Sequence, residues 1–129
     1  MPILLVYRIQ FCKMEEVKII GGGLAGSEAA WQIANAGIKV RLYEMRPKKS
    51  TGAHKTSHLA EIICTNSLGS ELIDRPSGLL AAELDILKSL LIDIAKSCKV
   101  PAGHALAVDR DFFSKSVTEK LAVHANITI

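Results

Sequence analysis

The sequence predicts an α/β fold with a parallel sheet, and three observations carry that expectation. A β-branched run, Val17-Lys18-Ile19-Ile20, stops at a glycine cluster; a stretch of helix formers follows; and alternating apolar residues resume β character from Lys39. Strand, helix and strand in that order make a β-α-β unit, whose crossover is right-handed when the strands lie parallel. The first strand is Val17 to Ile20, expected to be buried because parallel strands read as continuous apolar runs. The helix spans Leu24 to Ala36, with Ala25, Ala29, Ile33 and Ala36 as its apolar face and Gly37 where a C-terminal cap belongs. Lys39 to Glu44 is the second strand.

Met45 to His58 shows neither helical nor strand period and holds Pro47, Gly52, two histidines and the basic residues Arg46, Lys48, Lys49 and Lys55 without an acid, so it reads as a long surface loop. Glu61-Ile62-Ile63-Cys64 leads into a polar turn, Thr65-Asn66-Ser67. Leu80, Leu84, Leu87, Leu91 and Ile94 recur at helical spacing and predict one helix from about Gly78 to Cys98, which Val100-Pro101-Ala102-Gly103 ends. Asp109 is placed to cap a further helix with Phe113, Val117 and Leu121 on one face, and Asn126 to Ile129 opens another strand. With no element after that strand, the sheet is expected to be incomplete at the C-terminus. Residues 14–129 then read as the amino-terminal part of a nucleotide-binding domain, behind an extension over 1–13.

At 129 residues and 49% hydrophobic content the chain can bury a core, and its net charge of +3 permits an anionic partner without demanding one. Aromatic residues make up 5%, too few for a single-strand binder that works by base stacking. No apolar run approaches the roughly 20 residues a membrane helix needs, and the opening residues lack the charged leader of a secretory signal. Cys12, Cys64 and Cys98 lie tens of residues apart with no Cys-x-x-Cys pair, which supports neither a disulfide framework nor a metal site. A cytoplasmic setting without membrane or metal is the expectation.

Gly21-Gly22-Gly23-Leu24-Ala25-Gly26 fits G-x-G-x-x-G between a strand and a helix. Gly21 permits the turn, Gly23 lets backbone approach a pyrophosphate, and Gly26 lets the helix pack on the strand, while the helix N-terminus faces the phosphates. Glu44 ends the second strand 18 positions beyond Gly26, where an acid binds adenosine ribose hydroxyls. The spacing predicts a Rossmann-like, dinucleotide-binding fold. Glu44 would repel a 2′-phosphate whereas Arg46 could attract one, so FAD or NAD is favoured over NADP at this site. Glu28 reads as a helix-dipole partner in the first helical turn.

Several stretches are more specific than the glycine motif: Ile19 to Trp31, then Leu42-Tyr43-Glu44-Met45-Arg46-Pro47, then Ala53-His54-Lys55-Thr56, Ala60-Glu61, Cys64-Thr65-Asn66-Ser67-Leu68-Gly69-Ser70, and Pro101 to Arg110. Together they resemble the folate- and FAD-dependent tRNA (uracil-5-)-methyltransferase family, TrmFO, from about Val17 to the last residue. Gly52, Leu59, Thr65 and His104 depart from the family pattern, and none of these departures removes a reactive group. The resemblance implies an enzyme that makes 5-methyluridine in the tRNA T-loop. Its one-carbon unit comes from methylenetetrahydrofolate, passes through the flavin and is reduced with electrons from NAD(P)H. It also implies that Cys64 is one of two active-site cysteines, with Asn66 and Ser67 lining its turn, and that Gly21 to Gly26, Glu44, Met45 and Arg46 surround the FAD.

Cys98 is expected in the core. His54, His58 and the loop lysines are expected in solvent, and Arg110 is open between a capping neighbour and a flavin contact. The rival readings are a GidA-type wobble-uridine modification flavoprotein, an NAD-dependent dehydrogenase, and an inactive truncated dinucleotide-binding module. The 129 residues alone are expected to be inactive.

Overall fold

The structure, a computed structural model, describes residues 16–129; the extension over 1–13 and Cys12 lie outside the described residues. Strands β1 (Val17–Ile20), β2 (Val40–Tyr43) and β5 (Ile127–Thr128) form one parallel sheet in the order β1-β2-β5. Val17 pairs with Val40 and Ile20 with Tyr43, and Val40 pairs on its other side with Ile127. Helix α1 (Leu24–Asn35) makes the crossover from β1 to β2. The parallel β-α-β unit expected from the sequence is therefore present.

The core sits where α1 and α4 (Arg110–Ala122) meet the sheet. Val40 and Leu42 alternate inward along β2 while Arg41 and Tyr43 point out, as one pleated face requires. Phe113, Val117 and Leu121 are fully buried on α4, and the Asp109 carboxylate caps that helix by accepting from the Asp111 and Phe112 N–H groups. Gly37, with φ +82°, follows the end of α1.

Four details differ from the sequence expectation. The buried face of α1 is Ser27, Ala30 and Ala34, not Ala25 and Ala36, which are exposed; with alanines on several faces, spacing alone does not fix the rotation of this helix. β1 is half-buried rather than buried, because it lies at an edge of the described sheet with Ile20 81% exposed. Ser67, read as part of a turn, opens strand β3 (Ser67–Ser70), which pairs antiparallel with β4 (Ala105–Ala107). Polar and glycine content hid that strand, since its partner lies more than thirty positions away.

The fourth concerns the long helix, which is two: α2 (Pro76–Ile86) and α3 (Leu90–Ser97). Lys88 takes φ +61° between them, and Ser89 Oγ accepts from the Ile92 N–H to start α3 anew. The apolar spacing runs across the break, but Leu80 and Leu87 are exposed whereas Ile94 is buried. Replacing Ser89 by Ala removes this cap and is expected to destabilise the fold by about 1–2 kcal/mol in urea denaturation; an unchanged midpoint would show that the break does not depend on the cap.

Candidate functional site

The glycine turn is built between the C-terminal ends of β1 and β2. Gly21 has φ +101°, a region open to glycine and strained for other residues, and its N–H donates to the Tyr43 carbonyl at 2.8 Å. A Cβ on Gly26 would overlap the Gly21 carbonyl oxygen, so the missing side chain lets α1 pack onto the turn. At Gly23, by contrast, a Cβ would meet nothing within 4 Å. Gly23 is also the N-cap of α1, and among the described residues no side chain caps that end. The first N–H groups of α1, around Leu24 and Ala25, thus have no helical partners and carry the positive end of the helix dipole.

Gly22 has its own constraint, which the spacing rule leaves unassigned. It is buried, and a Cβ there would overlap Leu59 Cδ2 and stand 2.8 Å from Glu44 Oε2. Its N–H donates to Glu44 Oε2 at 2.9 Å, and its carbonyl accepts from the Ala60 N–H at 2.8 Å and from Ser27 Oγ at 3.3 Å. Leu59 and Ala60 fold back over the turn from the end of the 45–58 loop.

Glu44 Oε1 accepts from the Arg46 backbone N–H at 3.0 Å and from Arg46 Nε at 2.9 Å. Arg46 is only 7% exposed, and its other arm donates to Glu61 Oε2 at 2.8 Å and to the Thr56 carbonyl at 3.4 Å. Glu61 in turn accepts from the Lys55 and Thr56 N–H groups. The charge that Arg46 could have offered a 2′-phosphate is thus already paired with two carboxylates, through Nε and Nη1.

The hydrogen bond from the Arg46 side chain, helped by the N–H groups of Arg46 and Gly22, overcomes burial and lowers the Glu44 pKa from 4.5 to about 2. Burial pushes Glu61 up, but the Lys55 and Thr56 donors and the Arg46 charge outweigh it, and its pKa is also lowered. An ionised carboxylate has about four acceptor positions. Glu44 uses three, so Oε2 retains one beside a cavity of about 270 Å³ bounded by Tyr43, Arg46, Leu59 and Thr118.

Cys64 lies elsewhere. It is exposed in a polar cleft of about 500 Å³ with Asn66, Asp109 and Arg110. Asn66 lines that cleft as expected; Ser67 does not, since its hydroxyl donates to the Gly69 carbonyl inside β3. The Cys64 cleft and the Glu44 cavity share no lining residue. Cys98 is buried in the core. Met45 is half-exposed, Lys48, Lys49 and Lys55 are exposed, and His54 bonds the Thr51 hydroxyl within the loop. Glu28 is not a first-turn acid of α1; its carboxylate accepts from Ser89 Oγ at 2.8 Å and the Leu91 N–H at 3.1 Å, serving the start of α3.

Residues 16–129 match the family described as glucose inhibited division protein A. The chain belongs to that family. Within it, the chain is 58% identical over 114 residues to the methylenetetrahydrofolate–tRNA-(uracil-5-)-methyltransferase TrmFO of Sulfurihydrogenibium sp. strain YO3AOP1, covering 88% of the chain and 26% of that relative. It is 58% identical over 115 residues to the TrmFO of Aquifex aeolicus strain VF5, with 89% and 26% covered. With the TrmFO of Prochlorococcus marinus strain NATL1A it shares 59% over 113 residues, with 88% and 24% covered. The chain spans about a quarter of the length of these relatives.

In this member of the glucose inhibited division protein A family, sequence reasoning named Glu44 but missed Glu61, Leu59 and Thr118. Only Glu61, the one acid close behind a basic loop, left a signal in the sequence. The lowered pKa of Glu44 makes a stability prediction. Because its folded value lies below 4.5, the carboxylate's contribution, on the order of 2–3 kcal/mol, is complete above pH 4.5 and is lost as pH falls towards 2. Acid unfolding followed by circular dichroism is expected to show this loss, and Glu44→Gln to flatten it; equal acid sensitivity in both proteins would contradict the assignment.

Proposed function

We propose that the whole protein is a methylenetetrahydrofolate- and FAD-dependent tRNA (uracil-5-)-methyltransferase that forms 5-methyluridine in the cytoplasm, with NAD(P)H as reductant. The observation that carries this reading is the 54–59% identity to relatives bearing the methyltransferase name, which extends well beyond the glycine motif. Those names favour the methyltransferase over a wobble-uridine enzyme. Among the described residues no helix is long and apolar enough to cross a membrane.

The residues present fit FAD. Gly23 leaves open the space a Cβ would fill, the adjoining helix end has no side-chain cap, and Glu44 keeps an acceptor position. The N–H groups at Gly23, Leu24 and Ala25 would hold the pyrophosphate, and Glu44 would accept from the ribose hydroxyls. Gly21, Gly22 and Gly26 shape the turn, and Arg46 acts on Glu44 rather than on the ligand. When bound, FAD supplies the carriage of the one-carbon unit and of electrons.

Uracil C5 is a poor nucleophile until a thiolate adds at C6. When it does, the new S–C6 bond displaces the C5=C6 electron pair towards the C4 carbonyl, and C5 gains nucleophilic character. Cys64, exposed in a polar cleft with Asn66 and Arg110 at hand, is the thiol that the described residues offer for that role or for moving the C5 proton. Cys98 is buried and takes no part.

Two substitutions in the whole protein separate the cofactor role from the chemistry. Gly23→Val is expected to fold, since the position faces open space, yet to lower FAD affinity by about tenfold or more, which corresponds to at least 1.4 kcal/mol. Cys64→Ser is expected to keep the yellow flavin absorbance and to lose 5-methyluridine formation, because a hydroxyl is a weaker nucleophile than a thiolate. Full FAD binding by the first, or full turnover by the second, would remove the corresponding assignment.

A further inference from the structure

We infer that Glu61 is a positioning residue for ribose recognition: acting through the buried guanidinium of Arg46, it fixes the Glu44 carboxylate with Oε2 turned to the glycine turn, and with Glu44 it pairs the Arg46 charge that a 2′-phosphate would need. This rests on the reading of Glu44 as the ribose-binding acid.

The geometry runs in one line. Glu61 Oε2 takes one arm of Arg46 at 2.8 Å, and Glu44 Oε1 takes Nε at 2.9 Å. Both carboxylate side chains are about one-tenth exposed and that of Arg46 is 3% exposed. A guanidinium is planar and rigid, so fixing one arm fixes the direction of the other. The Lys55 and Thr56 N–H groups hold Glu61 in place from the loop backbone. Glu44 therefore cannot turn Oε1 away from Arg46 without breaking a buried, charge-assisted bond, and Oε2 is the oxygen left for a ribose hydroxyl.

Two carboxylates share one guanidinium here, so the corner carries a net negative charge. A 2′-phosphate would meet that charge, with the Arg46 cation already paired through Nε and Nη1 to two carboxylates. A site with Arg46 free would behave in the opposite way. The same acid that orients Glu44 thus also sets the preference for an unphosphorylated ribose.

The other groups facing Glu44 do not compete for this role. Among the described residues, Tyr43 at the end of β2 is the ionisable side chain around the cavity besides Glu44 and Arg46, α4 contributes only Thr118, and the glycine turn contributes backbone alone. Thr118 Oγ1 is already engaged, accepting from the Leu59 N–H and donating to the Ser114 carbonyl.

The test is a double-mutant cycle on FAD affinity in the whole protein, with thermal melting to confirm folding. Glu61→Gln is expected to weaken FAD binding about fivefold or more alone and less than twofold in a Glu44→Ala background, since contacting residues couple and independent ones add. Arg46→Lys, which keeps the charge but lacks the rigid planar fork that fixes one carboxylate relative to the other, is expected to follow the same pattern and serves if Glu61→Gln does not fold. Arg46→Gln is expected to raise the pH at which FAD affinity falls on acidification above that of the unaltered protein, because Glu44 then loses the side-chain bond that lowers its pKa most and keeps only the Gly22 and residue-46 N–H donors against burial.

Equal losses in both backgrounds would overturn the inference, since Glu61 would then act on the loop alone. So would no loss from either variant while Glu44→Ala weakens binding. If Glu44→Ala itself leaves FAD affinity unchanged, the ribose assignment of Glu44 fails first and the inference falls with it.

Discussion

The bond from the Gly22 N–H to Glu44 Oε2 joins two segments that would otherwise diverge. β1 and β2 run in register as far as Ile20 and Tyr43, and after the bond from the Gly21 N–H to the Tyr43 carbonyl the ladder between them ends. One chain turns into α1 and the other into a 23-residue irregular stretch before β3. The Glu44 carboxylate spans that gap at 2.9 Å, and Arg46 extends its hold to Glu61. The loop is thereby drawn back so that Leu59 and Ala60 close over Gly22, where a Cβ would overlap Leu59 Cδ2. Remove the carboxylate, and the turn, the loop and the cavity beside them all lose a shared anchor.

This arrangement explains why a glycine sits at a position the usual fingerprint leaves free. In a G-x-G-x-x-G turn the second residue is nominally unconstrained. Here Gly22 is restricted too, by the Leu59 and Glu44 side chains rather than by backbone as at Gly26. The turn is thus fitted to Glu44 and to the returning loop.

Elements governed by local rules were legible in the sequence. β1, α1 and β2 follow from a β-branched run, helix formers and alternation, and α4 follows from Asp109 and the spacing of Phe113, Val117 and Leu121. What escaped depends on partners far away along the chain. The β3–β4 ribbon pairs Ser67 with Ala107, and neither strand looks like one by composition. The α2–α3 break rests on Lys88 and Ser89, and the cap there is completed by Glu28 from α1, a residue sequence spacing assigned to its own helix. Arg46 looked like a free cation in a basic loop because Glu61, which neutralises it together with Glu44, is fifteen positions away. The Cys64 cleft shows the same limit: its motif could be read, but the contribution of Asp109 and Arg110 came only with the fold.

The central claim is that the glycine turn and Glu44 together hold a dinucleotide, and the most direct measurement is a crystal structure of the whole protein with FAD. The account predicts the pyrophosphate against the N–H groups of Gly23 and Leu24, a ribose hydroxyl within hydrogen-bond distance of Glu44 Oε2, and Arg46 still held between Glu44 and Glu61. FAD found at another surface, or a pyrophosphate bound by Arg46 with Glu44 turned away, would contradict it.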